Sequence, residues 1–465
     1  MHFSNNDTIV ALATPAGTGA IGVIRLSGEK AFDVAGKVFS FKKSKSKKIA
    51  EQKSHTIHFG NISDGSRIID EVLVSIFKSP HSYTGEDIVE ISCHGSSFIQ
   101  QKILSLLINA GARPAQPGEF TLQAFLNGKL DLSQAEAVAD LIASSSESSH
   151  RIAMQQMRGG FSTEIKNLRK ELVHFASLIE LELDFGEEDV EFADRKQLKD
   201  LILNLQASIL KLVKSFELGN VIRRGVPVVI AGKPNSGKST LLNAFVNDDR
   251  AIVSHIAGTT RDTIEEEIVL DGILFRFIDT AGLRETTDFV ENLGVNKTLE
   301  KLKQSKVLIY LFDVNELKPA ELKNILGDLQ KSLSDTMPYI IPVANKIDET
   351  KNGWQKDFSN IERLVGISAK NKTHLDELKD NLTRPFKNGE FAADETTVSN
   401  IRHYDALVKT NASLQKVMEG IDKKITHDFI ALDIRHALNY LGEITGEIST
   451  DDLLENIFSK FCIGK

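Results

Sequence analysis

The segment Gly232-Lys233-Pro234-Asn235-Ser236-Gly237-Lys238-Ser239 constrains this chain more than any other. It fits G-x-x-x-x-G-K-[ST], follows the apolar run Val228-Val229-Ile230-Ala231 and opens a helical pattern. Such a loop is an anion nest: glycines let the backbone wrap a phosphate, while successive N–H groups and a helix N-terminus point at it. Lys238 supplies the compensating charge and the Ser239 hydroxyl a ligand for Mg²⁺. The expected phosphate-contacting stretch is Asn235, Ser236, Gly237, Lys238, Ser239 and Thr240. The chain around it must be α/β. Apolar runs at 273–278, 307–312 and 339–344 alternate with helical patterns, as that requires.

Further motifs follow in GTPase order. Gly258-Thr259-Thr260 lies where a threonine closes on Mg²⁺ and a γ-phosphate, and Asp279-Thr280-Ala281-Gly282 follows an apolar strand. Asn345-Lys346-Ile347-Asp348 follows another; Asp348 can accept from guanine N1–H and N2–H₂, donors that adenine lacks. Ser368-Ala369-Lys370 would support the base from its other side. Leu283 stands where Ras-like enzymes carry a water-orienting glutamine, and the P-loop has no arginine finger. Hydrolysis therefore needs another positive charge and another water-positioning group. A monovalent cation held by the Asn235 amide and carbonyls of the loop Ser254-His255-Ile256-Ala257-Gly258-Thr259 meets the first need. Glu291 meets the second, or is a solvated helix carboxylate.

Of 465 residues, 41% are hydrophobic and 26% charged, which suits several soluble cores and excludes a fibrous protein. The net charge of -8 repels polyphosphate overall, so nucleic-acid binding needs a local basic patch or a partner protein. Cys93 and Cys462 cannot build a disulfide scaffold, no signal peptide is read, and no apolar stretch approaches a membrane span. The expectation is a cytoplasmic protein. Short β-rich runs with turn signals fill the first 120 or so residues, with helices at 29–38 and 98–109, so that part reads as α+β. The lysine run at 42–48 reads as a solvated loop or an RNA-steering patch. Helical stripes follow (Ile165, Leu168, Leu172, Phe175, Ile179; then Leu198, Leu201, Leu205, Leu212, Phe216). They suggest a hairpin of two long helices across the acidic stretch at 187–191. Another stripe, Ile430, Ile434, Leu438 and Leu441, marks the C-terminal part. The expected fold is α+β multidomain: an N-terminal α+β domain (1–121), a helical domain in two parts (122–218 and 385–465), and a Ras-like G domain inserted at 219–384.

The flanks resemble the MnmE (TrmE) family of tRNA-modifying GTPases over essentially the whole chain. The likeness rests on Asp7-Thr8-Ile9-Val10-Ala11, Arg25-Leu26-Ser27-Gly28, Tyr83-Thr84-Gly85-Glu86-Asp87 and Pro117-Gly118-Glu119-Phe120. It continues through Asn127-Gly128-Lys129-Leu130-Asp131-Leu132 and the ending Phe461-Cys462-Ile463-Gly464-Lys465. The resemblance implies a homodimer with paired N-terminal domains that bind 5-formyl- or methylene-tetrahydrofolate. It implies an FAD partner, MnmG (GidA), in a hetero-oligomer with tRNA as the substrate of the complex. The product is an aminomethyl-type group, such as carboxymethylaminomethyl, at C5 of the wobble uridine. It also implies K⁺-dependent pairing of G domains, with Asn235, Ser254, Ile256 and Thr259 on K⁺, Ser239 and Thr260 on Mg²⁺, and Glu291 as the base acting through water. Ser254 departs from the threonine common there. Arg25, Glu90, Lys129 and Lys465 match the folate-contacting positions.

Cys462 stays open between a prenylation box spoiled by its terminal lysine, a buried structural cysteine and a reactive thiol at the modification site. Two other functions compete: a ribosome-assembly G-protein switch, whose relatives share Gly258-Thr259-Thr260-Arg261-Asp262, and a folate-binding module with a vestigial GTPase.

Overall fold

The computed structural model describes residues 7–42, 47–184, 195–247, 252–253, 266–278, 302–333, 337–350, 353–387, 397–423, 425 and 427–465. The chain divides into two compact units, one made of Met1–Ala139, Met157–Val190 and Thr426–Lys465, the other of Asp140–Gln156 and Glu191–Ile425.

The first unit is built on a seven-stranded sheet. Its strands are β1 (Ile9–Leu12), β2 (Ile21–Ser27), β3 (Phe39–Phe41), β4 (Thr56–Asp64), β5 (Arg67–Phe77), β6 (Ile88–His94) and β7 (Arg113–Pro114), in the spatial order β3-β4-β5-β6-β2-β1-β7. Neighbours are antiparallel except β1 and β7. Alternation along the strands sends Ile24 and Leu26 of β2, and Val72, Val74 and Ile76 of β5, into the core. There α1 (Ala31–Val38) and α2 (Ser97–Asn109) cover them. Helix α3 (Glu119–Leu126) starts three residues before the change of period at Leu122. Its first turn is held by Glu119, which accepts from the Gln116 N–H at 2.7 Å and from the Arg113 guanidinium through two bonds.

Helices α4 (Leu132–Ala143), α5 (Glu147–Met157), α6 (Gly160–Asp184) and α7 (Arg195–Arg224) follow. The stripe of α6 is buried from Ile165 to Ile179; in α7 the buried line is Ile202, Leu205, Ile209, Leu212 and Phe216, with Leu201 only half-buried.

The second unit's sheet comprises β8 (Val226–Ala231), β9 (Ile252–Val253), β10 (Glu266–Leu270), β11 (Ile273–Phe277), β12 (Val307–Asp313), β13 (Tyr339–Asn345) and β14 (Val365–Gly366). Their order is β14-β13-β12-β8-β11-β10-β9, parallel from β14 to β11. The two-residue turn Asp271-Gly272, with both φ positive, reverses the chain between antiparallel β10 and β11. Strand β8 sits between β11 and β12, both later in the chain, so it is the point where strand order reverses. Helices α8 (Lys238–Val246), α9 (Pro319–Ser332), α10 (Trp354–Asp357) and α11 (Leu375–Lys387) complete this α/β body, with cores on both sheet faces.

Three C-terminal helices follow: α12 (Ile401–Asp422), α13 (His427–Thr445) and α14 (Asp451–Phe458). Within the first unit α6 takes α13 as its partner, and within the second α7 takes α12. Within its own unit, each long helix is thus matched to a segment far away in the chain. An apolar stripe states that a face must be covered, not by what. Among the described residues, no helix is long and apolar enough to cross a membrane.

Candidate functional site

The sheet geometry puts the nucleotide motifs together. In an open parallel sheet, ligands bind at the carboxyl ends of the strands where the order reverses. The loop after β8 lies there, beside the ends of β12 and β13.

Its backbone admits no substitutes at two glycines. Gly232 has φ +155° and a Cβ there would lie 1.9 Å from the Leu311 carbonyl oxygen; Gly237 has φ +98° and its Cβ would lie 2.2 Å from Asn345 Nδ2. Asn235 also has positive φ, at +63°. Gly237 caps α8 without a side-chain acceptor, so the first-turn N–H groups of that helix remain to serve an anion. Lys238 is buried, and its Nζ donates to the Gly232 and Lys233 carbonyls, both at 2.9 Å. No carboxylate among the described residues pairs with it, and burial lowers its pKa. A buried ammonium with no carboxylate partner among the described residues, held over an anion nest, is chemically matched to a phosphate. Ser239 and Thr240 follow on α8 with their side chains exposed, which leaves the Ser239 hydroxyl accessible to a cation. The described residues contain no group of three or more His, Cys, Asp or Glu side chains that could hold a metal.

The base-side motifs converge on the same end of the sheet. Asn345 donates from Nδ2 to the Ser236 carbonyl (2.8 Å) and accepts from the Ala369 N–H (3.0 Å), so it ties the P-loop to the 368–370 loop. Lys346, at φ +63°, pairs with buried Asp313 at 2.6 Å. Burial alone would raise the Asp313 carboxyl, but hydrogen bonds from Lys346 and Asn315 bring it below the usual carboxylate range. Asp348 is exposed and accepts from Asn371 Nδ2 at 3.0 Å. Ser368 and Ala369 are buried, while Lys370 is exposed. Sequence reasoning missed Asp313 and Asn371; the available signals were an acidic residue ending an apolar strand and an amide directly after Ser368-Ala369-Lys370. Ser254, His255, Ile256, Ala257, Gly258, Thr259, Thr260, Asp279, Thr280, Ala281, Gly282 and Glu291 lie outside the described residues.

The first unit holds the second candidate site. Register places Arg25 on β2 opposite Glu90 on β6, and the guanidinium binds the Glu90 carboxylate at 2.8 Å. It also lies over the rings of Tyr83 (5.6 Å) and Phe120 (5.7 Å). Ser27 reaches Thr84 and Glu86, both at 2.7 Å, and burial pushes the Glu86 carboxyl up against the lowering effect of that Ser27 bond. Lys129 is exposed beside this 83–86 loop; a Cβ on Gly85 would lie 3.2 Å from its Cε.

The C-terminal tail comes to the same sheet end. Gly118 N–H donates to the Cys462 carbonyl at 3.3 Å. Gly464 has φ +94° and packs so closely that a Cβ would lie 2.2 Å from the Leu12 carbonyl oxygen, one register step from the Ala11–Arg25 pair. Lys465 is half-buried there. Arg25 and Glu90 beside the rings of Tyr83 and Phe120, with Glu86 and Lys129 at the adjoining 83–86 loop, make a site of mixed charge against an aromatic wall. Cys462 is exposed, which removes the buried-cysteine reading, whereas Cys93 is buried and its thiol is pushed up to about 11 by desolvation. His94, next in the chain, points out and holds Asp70 at 2.7 Å, so the two do not form a pair.

Comparison with known proteins decides the family. A family model for the MnmE helical domain matches residues 132–462, and one for the GTP-binding protein TrmE N-terminus matches residues 8–129. The chain belongs to the MnmE (TrmE) family. Among curated MnmE relatives, that of Cytophaga hutchinsonii is 56% identical, over 99% of this chain and 98% of its own length. That of Flavobacterium johnsoniae is 56% identical over 99% and 100%, and that of Flavobacterium psychrophilum 54% over 99% of each. Each of these relatives carries the name tRNA modification GTPase MnmE.

Proposed function

We propose that this MnmE-family chain hydrolyses GTP as a component of the machinery that modifies the tRNA wobble uridine at C5, acting in the cytoplasm with the FAD protein MnmG. The observation that carries the reading is the P-loop itself: buried Lys238 arched over an anion nest, tied through Asn345 to the loops that bear Asp348 and Ala369. In this reading the α8 N-terminus and Lys238 take the phosphates, Ser239 and Thr260 hold Mg²⁺, and Asp348 selects guanine. K⁺, on Asn235, Ser254, Ile256 and Thr259, supplies the positive charge that a finger arginine supplies elsewhere. Glu291 orients the attacking water.

The Arg25–Glu90 cluster takes a one-carbon tetrahydrofolate, with Lys129 and Lys465 serving its carboxylate tail and Cys462 free to react at the modification site. The domain reading stays as 1–121, 122–218, 219–384 and 385–465. Pairing of the N-terminal domains as a homodimer is supported by an exposed apolar patch on β4 and β5, where Ile57 and Phe59 lie on one face and Phe59 opposes Leu73. The test is GTP turnover in matched KCl and NaCl, together with mass spectrometry of wobble nucleosides from cells lacking the chain. Turnover that needs K⁺ and loss of the C5 group are expected; equal rates in both salts sink the cation assignment, and intact nucleosides sink the modification role.

A further inference from the structure

Outside both candidate sites, the N-terminal unit carries a basic groove of about 800 Å³ between α1 and residues 47–50. Lys30, Lys37, Lys47 and Lys48 line it and all four are exposed. Lys30 caps the start of α1 and Lys37 lies in its last turn. Seven residues apart, they share a helix face, separated by roughly 10 Å of rise. Buried Ile49 anchors the opposite wall, where Lys47 and Lys48 enter. Lys37 Nζ donates to the Ala110 carbonyl at 2.7 Å; no carboxylate among the described residues pairs with the side chains of Lys30, Lys47 or Lys48. Asp33 is the one acidic residue in the lining. A chain of net charge -8 sets four lysines against one carboxylate in this lining.

We infer that this groove binds the phosphodiester backbone of tRNA, and the inference rests on the tRNA-modification reading above. Two features decide for backbone over base. The groove's aromatic residues, Phe32, Phe39 and Phe41, are buried in the core and offer no stacking face. The cations are all lysines, compact point charges without the planar fork with which arginine reads guanine. Backbone recognition of this kind positions a nucleic acid and carries no sequence information, so the groove holds tRNA of any sequence while a partner or the anticodon loop confers choice.

The test uses the full chain carrying Lys30→Gln, Lys37→Gln, Lys47→Gln and Lys48→Gln together, with a matching Lys→Arg set as control for charge at the same positions. Binding of labelled, unmodified tRNA is measured from about 50 to 200 mM salt, beside binding to phosphatidylserine vesicles. The Gln set should lose affinity equally for several tRNAs, with a salt slope shallower by roughly 0.7–0.9 for every phosphate that its lysines no longer neutralise. The Arg set should bind like wild type, and both should keep wild-type GTP turnover without tRNA. Unchanged tRNA affinity in the Gln set, no binding by wild type at low salt, or an effect confined to the vesicles overturns the groove assignment. The function reading survives any of these so long as cells carrying the variant depend on the chain for the wobble modification; if wild type itself restores no modification, that reading fails separately.

Discussion

Asn345 and Ser236 are 109 residues apart in sequence and joined by one buried hydrogen bond of 2.8 Å, from the amide Nδ2 to the backbone carbonyl. With its Oδ1 on the Ala369 N–H, Asn345 is a strut between the P-loop and the 368–370 loop, and its Nδ2 keeps a second N–H beyond the one given to Ser236. Asn345→Ala strands a buried carbonyl and a buried N–H, each at about 1–3 kcal/mol. Affinity for a fluorescent GDP analogue should fall tenfold or more, because every 1.4 kcal/mol is tenfold. Undiminished affinity with an unchanged melting temperature contradicts the strut.

Asp348 stands exposed, oriented by Asn371. Asp348→Asn replaces a charged acceptor with a neutral amide at a bond that contributes about 1.5–3 kcal/mol, so guanine-nucleotide affinity should drop roughly 10- to 150-fold. Titration with GDP and ADP analogues reads it: a matching drop for both bases would place Asp348 away from base selection.

Gly464 lies against the Leu12 backbone at φ +94°, a conformation and a spacing that exclude a Cβ. Gly464→Ala should displace the tail, and with it Lys465, from the Arg25 end of the sheet. GTP turnover should stay near wild type while wobble modification and folate affinity fall. A variant that modifies tRNA at the wild-type rate would show that the docked tail is dispensable.

The two cysteines should separate by chemistry. At pH 8 a thiol reagent should label Cys462 in the native protein and both residues after unfolding; Cys462→Ser should leave the native protein unlabelled. Folding holds the Cys93 thiol up near 11 from an ordinary 9.0, so between those values the unfolded chain has lost a proton that the folded one keeps. Stability therefore falls as pH rises through that window, by on the order of 2 kcal/mol. Cys93→Ala should flatten this alkaline slope in denaturant melts followed from pH 8 to 11; an equal slope in both proteins refutes it.

Glu291→Ala should preserve GTP affinity and K⁺-dependent G-domain pairing and slow hydrolysis by roughly 10²–10⁴, the range for lost general-base help. Rapid hydrolysis in the variant, measured by phosphate release beside binding, would return Glu291 to the role of a solvated carboxylate.

The strand–loop–helix around Gly232 to Ser239 is legible in the sequence because local chemistry dictates it: an apolar run, two glycines at positive φ and a lysine at a fixed offset. The four longest apolar runs of the G domain emerge as β8, β11, β12 and β13. Short strands such as β7 and β14, two residues each, carry no readable period. Periodicity puts Leu201 in the α7 stripe where the fold buries Ile202, because neighbouring apolar residues leave the phase of a helix ambiguous until a partner packs on one of them.

Local residue order alone determined the phosphate loop, the base-recognition motifs, the apolar faces and the family likeness, since each depends on residues within a few positions of one another. Tertiary structure decided what those pieces touch. Antiparallel register set Arg25 on Glu90 across 65 residues, chain reversal at β8 brought Asn345 to Ser236, and the tail's close fit carried Lys465 to β1. The long helices took α12 and α13 as partners. These pairings follow from burying apolar faces that any of several segments could have covered. Only the folded chain, by satisfying all of them at once, selects one set.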